Sequence, residues 1–338
     1  MRKEFKRKVG LQGMKNTLLK EFKGILLAIV LGLLSLLISA FTPSAINSIL
    51  IALMLGISLR NLYELPEQFE SGISFTSTKL LELSIVFLAF SINYSHISKI
   101  GIGSFVAIAS VLFVVLLLTF SLAKKFNCPG SIGWLVGFGT AICGSSAIAA
   151  LAPSISKNKE DVAISMAVVN LYGTIGMLFL PMILLRTNLD ASSIGYLVGG
   201  SLHSVGNVAG AGYAIGQEAG EVAITIKLAR VALLTPGLIF INFLINRKTV
   251  KSWKDHFRLP WYLLAFILIT ILGTVVKFPD LFVQTMDTTG KVILTIAMAA
   301  IGLKVSFKKL IQSGQKGLGF GLVIFAIQIA LLSIFLLF

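Results

Sequence analysis

The feature that most limits the fold is a series of apolar blocks that recurs from one end of the 338-residue chain to the other. A helix of about 20 apolar residues crosses the roughly 30 Å hydrocarbon core of a bilayer, and the blocks are close to this length. The composition agrees, because 56% of the residues are hydrophobic and 13% are charged. Soluble domains average about 45–50% apolar and about 25% charged residues. The sequence therefore predicts an all-α polytopic membrane protein.

The apolar blocks predict about eleven membrane spans in a transmembrane transporter domain, residues 24–338, which follows a basic arm at residues 1–23. The first block is longer than the core of a signal peptide and lacks a convincing cleavage site, so we expect it to be retained as a helix. The predicted spans lie at 24–41, 45–61, 78–94, 102–123, 131–152, 161–185, 192–213, 219–245, 260–276, 288–305 and 316–337.

The net charge of +15 is distributed asymmetrically between the two sides of the predicted membrane domain. With the N-terminus in the cytoplasm, Arg186 falls among the many Lys and Arg residues on the cytoplasmic side, and Lys159 among the few on the other. This is the positive-inside pattern. It predicts a multi-pass inner-membrane protein whose C-terminus lies opposite its cytoplasmic N-terminus. The bilayer accounts for the charge, and no nucleic-acid partner is needed.

Two apolar segments resemble each other, "LSIVFLAFSINYS" at 83–95 and "LTIAMAAIGLKVS" at 294–306. They belong to the third and tenth predicted spans, which cross the membrane in opposite directions. The similarity predicts an inverted repeat, an architecture common among secondary transporters.

Two predicted spans contain stretches rich in Gly, Ala, Ser and Thr, "GFGTAICGSSAIAALAP" at 137–153 and "GGSLHSVGNVAGAG" at 199–212. Small residues allow close helix packing in a bilayer, which is one explanation. The other is that both helices are broken and crossed. Broken helices occur at membrane depth where they are buried in protein or line a cavity, and their exposed N–H groups can hold an anion.

Lys227 and Arg230 are three residues apart in the eighth predicted span, near the bilayer centre. Each buried cation costs roughly 2.5–3.5 kcal/mol on insertion scales. A structural ion pair would need acids, but Glu82 is the one carboxylate that the sequence places inside another span, near its cytoplasmic end. A binding site for a mobile anion is the alternative that we favour.

Other polar residues in the small-residue segments could complete such a site. His203, Ser204 and Asn207 offer hydrogen bonds, and His203 and Asn207 would share a face if the segment were helical. Packing without a ligand explains these residues equally well. Cys143, Ser145 and Ser146 could offer further donors from the fifth predicted span, although close packing explains them nearly as well. Asn170 in the sixth predicted span is a further substrate-binding candidate.

Signatures of enzymatic chemistry are missing from the sequence. It contains no P-loop, HExxH motif or paired CxxC motifs, and the cysteines Cys128 and Cys143 predict neither a disulfide framework nor a metal site. We therefore expect no enzyme activity, catalytic residue, metal or cofactor.

The chain resembles the YeiH-type sulfate exporter family in five segments, in family order. They are "GTAICGSSAIAALAP" (139–153), "EDVAISMAVVNLYGTIGMLFLP" (160–181), "SLHSVGNVAGAG" (201–212), "KLARVALLTPG" (227–237) and "AMAAIGLKVSFKKL" (297–310). That family is similar to the bile acid, arsenite and riboflavin transporter superfamily, which implies inverted five-helix repeats with crossed, broken helices. This chain differs from the YeiH-type family at two positions, because family members often carry an acid at the position of Ser204 and Gln at that of Asn207.

The residues and the resemblance together predict a secondary active transporter that exports a small inorganic or sulfur-containing anion, such as sulfate, sulfite or a sulfonate, by alternating access. An anion channel and a non-transporting membrane scaffold or sensor are the alternatives. The sequence leaves open whether H⁺ or Na⁺ is the coupling ion and whether the protein forms a homo-oligomer.

Overall fold

The computed structural model describes the backbone of residues 2–41, 47–91, 94–126, 128, 130–156, 158–245, 260–306 and 317–336. Within these ranges the chain forms helices and no strand, which confirms the all-α prediction. Among the described residues, seven helical segments are long and apolar enough to cross a bilayer, and three shorter helices are also apolar. The protein is therefore a polytopic helical membrane protein.

The chain divides into two compact units. Unit 1 comprises Met1–Ser91 and Phe278–Phe307, and unit 2 comprises Ile92–Lys277 and Lys308–Phe338. The helices of unit 1 are α1 (Arg2–Phe41), α2 (Ser48–Leu62), α3 (Glu70–Phe75), α4 (Leu81–Leu88) and α14 (Asp280–Lys304). The helices of unit 2 are α5 (Tyr94–Lys125), α6 (Gly130–Ala141), α7 (Ser145–Ile155), α8 (Lys159–Leu184), α9 (Ala191–Ser201), α10 (Val205–Ile215), α11 (Gln217–Ala232), α12 (Leu234–Ile245), α13 (Trp261–Val275) and α15 (Leu318–Phe335).

Unit 1 contains residues 83–91 of the first segment of the predicted inverted repeat and the whole of the second segment, 294–306. A π-helical turn, Thr76–Leu80, joins α3 to α4, so the chain runs from Glu70 to Leu88 almost without interruption. Leu88 packs against Gly290, whereas Glu70 interacts electrostatically with Lys304 at the other end of α14. The two segments are therefore antiparallel, as an inverted repeat requires.

Unit 2 contains a helical hairpin formed by α6 and α7. The hydroxyl of Ser131 near the start of α6 donates to Asp161 Oδ2 at 2.6 Å, and the hydroxyl of Ser156 after the end of α7 donates to the same oxygen at 3.3 Å. Both ends of the segment therefore meet at the start of α8. A tight turn at Gly144, with φ 74° and ψ −133°, reverses the chain at the tip. Only glycine adopts this conformation readily.

A second hairpin is formed by α9 and α10. The hydroxyl of Ser192 in the first turn of α9 donates to Glu218 Oε1 at 3.2 Å, just beyond the end of α10. Gly195 on α9 and Gly212 on α10 both lie against Ala219 of α11, which confirms that the two arms return to the same end. The tip is an extended turn at residues 202–204.

The broken helices are thus present, but the spans predicted at 131–152 and 192–213 are wrong in one respect: neither segment continues across. Each arm has 11 or 12 residues. At 1.5 Å per residue an arm is about 16–18 Å long, which is roughly half the hydrocarbon thickness. Two such arms have the combined length and apolarity of one span, so composition does not distinguish them.

The two hairpins start from opposite ends of α8. The base of the α6–α7 hairpin lies at Asp161 in its first turn, and the α9–α10 hairpin begins after its last turn. Both tips lie beside the middle of α8, where Ser145 of the first hairpin donates to Asn170 and Leu202 and His203 of the second contact Gly176 and Gly173. The fold therefore brings two irregular backbone segments together about halfway along a membrane-spanning helix.

Candidate functional site

Lys227 and Arg230 project from α11 into the place where the two hairpin tips meet. Their relative exposures are 0% and 1%, so both cations are shielded from lipid and water. Helix α11 packs closely against α9 because Gly199 has no side chain and lets the two backbones approach beside Ala223. The prediction that both cations are deeply placed agrees with this geometry.

Arg230 binds the carboxyl-terminal ends of α6 and α9 together. Nη1 donates to the carbonyl oxygens of Gly199 and Leu202, both at 2.9 Å. Nη2 donates to Thr140 at 2.8 Å and Ala141 at 3.0 Å, and Nε donates to Ala141 at 3.3 Å. A guanidinium has five N–H donors, so all of them are used.

Lys227 makes a similar bridge with two hydrogen bonds. Its ammonium nitrogen donates to the carbonyl oxygen of Ile142 at 2.7 Å and to that of Leu202 at 2.8 Å. An ammonium has three N–H donors, so one remains after these two contacts. Lys227 is therefore the cation of the pair that keeps hydrogen-bonding capacity.

These contacts explain why the buried cations are stable. The end of a helix carries unpaired carbonyls and about half a negative charge, and cations there are favourable. A hydrogen bond from a charged group contributes about 1.5–3 kcal/mol, so two such bonds offset the roughly 2.5–3.5 kcal/mol cost of a buried cation. The sequence reasoning weighed an ion pair against a ligand and missed this third kind of partner.

Carboxylates do not neutralise the two cations within the described ranges. The ion pairs found there are Arg60–Glu70, Lys79–Glu82 and Lys291–Asp287. Glu82, the acid that the sequence placed inside a span, therefore pairs with its neighbour Lys79. The site at the hairpin tips keeps its positive charge.

The amino-terminal ends of α7 and α10 start at the same tips. Helix α7 follows Gly144 and has no side-chain cap, and its first three amides, from Ser145 to Ala147, have no acceptor in the part of the chain that the structure describes. At α10 the hydroxyl of Ser204 accepts from the amide of Asn207 at 3.1 Å. Such helix ends attract anions through free N–H groups and the helix dipole.

His203 lies between the tips and is 1% exposed. Its Nδ1 atom is buried and has no hydrogen-bond partner among the described residues. The backbone carbonyl of His203 faces Gly144, and its ring lies 4.9 Å from that of Phe325. Because a buried polar atom without a partner is unfavourable, this nitrogen is suited to a ligand that the tips would bind.

His203 and Asn207 are close together for a different reason than the sequence suggested. Ser204 is the N-cap of α10, so His203 precedes the helix and the two residues do not share a helical face. Gly173 of α8 instead contacts both the amide of Asn207 and the Cβ of His203. The condition for a shared helical face is therefore not met, although the two residues lie close together.

The remaining candidates line the start of α7. The hydroxyl of Ser145 donates to Asn170 Oδ1 at 2.7 Å, and that of Ser146 contacts the sulfur of Cys143 at 3.0 Å. Ser146 and Asn170 are exposed, Ser145 is half-buried and Cys143 is buried. Because Ser146 and Asn170 are exposed, a ligand could reach the amino-terminal end of α7 beside them.

Gln328 on α15 is a contributor that the sequence reasoning missed. Its amide donates to the carbonyl oxygen of Gly200 at 2.7 Å, so a third polar side chain caps the end of α9. Gln328 is 2% exposed in a helix whose other residues are apolar apart from Ser333. An amide side chain in the middle of such a span was the signal that could have identified it.

The fold and this site define a polytopic helical membrane protein with two re-entrant hairpins that meet at buried cations. The chain belongs to the family described as conserved hypothetical protein 698, whose model matches residues 23–321. A UPF0324 membrane protein of Helicobacter hepaticus is 30% identical over 323 residues, which cover 90% of this chain and 93% of the relative. Another from Lactobacillus johnsonii is 34% identical over 282 residues, covering 80% and 82%.

Among solved structures, the sodium proton antiporter MjNhaP1 from Methanocaldococcus jannaschii matches 91% of this chain and 99% of its own, with 14% identity and a TM-score of 0.29. A score of this size does not indicate a common fold. The descriptions of the relatives specify a membrane protein and no substrate. The resemblance to a sulfate exporter family therefore stays a prediction.

Proposed function

We propose that the protein is a secondary active transporter for a small inorganic or sulfur-containing anion, of the sulfate, sulfite or sulfonate type. The observation that carries the proposal is the meeting of two hairpin tips at mid-membrane around Lys227 and Arg230, without a carboxylate partner among the described residues. In secondary transporters, interrupted helices at this depth form the substrate site.

The electrostatics of the tips favour an anion. The carboxyl-terminal ends of α6 and α9 contribute about half a negative charge each, whereas Lys227 and Arg230 contribute two positive charges. The amino-terminal ends of α7 and α10 add about half a positive charge each. The sum is positive, and a bound anion would balance it.

The anion would occupy the amino-terminal ends of the half-helices rather than replace the carbonyl contacts of the cations. Arg230 has no free donor, so it holds the tips in position and acts on the anion through its charge. The amides of Ser145 and Ser146, the remaining N–H of Lys227 and the buried Nδ1 of His203 are the groups available to a ligand.

The arrangement of the hairpins supports alternating access. Because their bases lie at opposite ends of α8, each hairpin fills the space between the shared tips and one end of the helix. Small movements of either hairpin would open the tips to one end only. The inverted repeat predicted from residues 83–95 and 294–306 is the same kind of symmetry, and such repeats are common in carriers.

Export and an inner-membrane location follow from the resemblance and from the charge asymmetry. The hairpins change the predicted sides of the connections at both ends of α8, since Lys159 now lies at the same end of unit 2 as Lys124 and Arg186 lies at the other. The prediction that the N-terminus and the C-terminus lie on opposite sides is unchanged, because the hairpins remove two crossings from the predicted topology.

Radioactive counterflow in proteoliposomes tests the proposal. Vesicles loaded with unlabelled sulfate, sulfite or methanesulfonate should accumulate the labelled anion from outside against its concentration gradient, and chloride-loaded vesicles should not. A carrier requires exchange of this kind, whereas a channel gives only dissipation. Absence of counterflow with all three anions, together with no anion-dependent rise in melting temperature, would overturn the proposal.

A further inference from the structure

The carbonyl oxygens around Lys227 form the kind of group that binds free cations in other proteins. Ends of interrupted helices and unwound carbonyls are the usual ligands of coupling cations in membrane transporters. Here Ile142 and Leu202 direct their carbonyl oxygens at the ammonium of Lys227, at 2.7 and 2.8 Å. The side chain is 0% exposed, so the charge is held inside the protein as a bound ion would be.

We propose that Ile142 and Leu202 form a monovalent-cation site that the ammonium of Lys227 permanently occupies. The ligand class is a small cation that carbonyl oxygens can bind, with primary ammonium as the best fit because it reproduces both hydrogen bonds. Arg230 does not remove the need for this cation, because its contacts reach Leu202 but not Ile142. Without Lys227, the carbonyl oxygen of Ile142 loses its hydrogen-bond donor.

The consequence for transport rests on the proposed function. A tethered cation at the negative helix ends takes the position of a coupling ion, so anion exchange by the natural protein is independent of Na⁺. Truncation of Lys227 opens the position, and exchange then depends on an added cation. Na⁺ dependence is thus a property that one side chain suppresses.

Two substitutions of Lys227 distinguish the loss of its charge from the opening of space beside the two carbonyl oxygens. Lys227→Ala removes the ammonium and leaves space beside the two carbonyls, whereas Lys227→Met removes the charge and fills most of that space. Methylammonium chloride should raise the melting temperature of purified Lys227→Ala by about 2–4 °C, the size expected for a ligand that binds only the folded state. The same salt should leave Lys227→Met and the natural protein unchanged.

Na⁺, ammonium and choline chloride at equal ionic strength complete the experiment. Ammonium and methylammonium should stabilise Lys227→Ala most and choline least, because choline is too large and has no N–H donor. Equal effects of all four salts, or equal effects on Ala and Met variants, would overturn the proposal. A melting temperature or exchange rate of the natural protein that depends on Na⁺ would overturn it as well, even if Lys227→Ala does not fold.

The outcomes distinguish this inference from the proposed function. The thermal measurement contains no transported anion, so the cation site can fail while counterflow succeeds. Conversely, selective stabilisation of Lys227→Ala by methylammonium with no counterflow in the natural protein would retain the cation site and reject the transporter.

Discussion

Lys227 and Arg230 share one acceptor, the carbonyl oxygen of Leu202, at 2.8 and 2.9 Å. Two like charges are thereby held at the tip of one hairpin, and each also reaches the other hairpin, through Ile142 and Ala141. The carboxyl-terminal ends of α6 and α9 are both negative and would repel each other. The two cations bind both ends and hold them together. The cations thus position the tips, and their charge remains available to attract an anion.

Arg230→Lys is predicted to destabilise the protein despite keeping the charge. A lysine has three donors and no fork, so it cannot bind Thr140, Ala141 and Gly199 at once. Buried carbonyls left without donors should reduce the free energy of unfolding by about 2–5 kcal/mol. Thermal unfolding in detergent measures the change. Lys79→Ala is the control, because its exposed ion pair contributes at most about 1 kcal/mol. Equal melting temperatures for the two variants would show that Arg230 does not hold the ends of α6 and α9 together.

Gly144→Ala is predicted to disturb the tip of the α6–α7 hairpin. Its φ of 74° and ψ of −133° suit glycine, and an added Cβ would lie 3.3 Å from the carbonyl oxygen of His203. The strain should cost about 1–3 kcal/mol and weaken anion binding.

Gly319→Ala is the matched control for Gly144→Ala. Gly319 lies within α15 with nothing within 4 Å of an added Cβ, so alanine should stabilise that helix by about 0.5–1 kcal/mol. Melting temperatures and anion-dependent shifts of the two variants give the comparison. A neutral Gly144→Ala variant would show that the reversal of the chain does not require this backbone conformation.

Single cysteines can show on which side of the membrane the hairpin bases lie. The native cysteines Cys128 and Cys143 are buried, so an impermeant maleimide should react mainly with an introduced thiol. Lys124→Cys and Lys159→Cys should be labelled from the same side of oriented vesicles, and Arg186→Cys from the opposite side. Eleven complete spans would instead pair Lys124 with Arg186. Labelling in that pattern would disprove the hairpins.

The residues of this site could be predicted from the sequence better than the course of the chain that brings them together. Gly144 and the glycines around His203 indicated breaks, and Lys227 and Arg230 indicated a buried charged centre, because each is unfavourable in an ordinary span. The reversal of the chain could not be predicted, since it depends on contacts between distant residues. Ser131 and Ser156 meet at Asp161 only in the folded chain, and neither has a local signature.

Ser204→Asp tests whether the hairpin tips bind an anion. Asp and Asn are both good N-caps, so either should replace the hydroxyl that accepts from the amide of Asn207 and preserve α10. Asp also places a fixed negative charge beside the amino-terminal ends where we expect the substrate. Sulfate or sulfite should therefore bind Ser204→Asp at least about tenfold more weakly, a change of about 1.4 kcal/mol.

Ser204→Asn supplies the neutral comparison for this charge. Its melting temperature should match that of Ser204→Asp in the absence of anion, while its anion affinity should stay near that of the natural protein. Isothermal titration of both variants with the same anions measures the difference. Equal affinities of the two variants would place the substrate away from α10, because a full charge at its N-cap cannot leave a bound anion at that helix end unaffected.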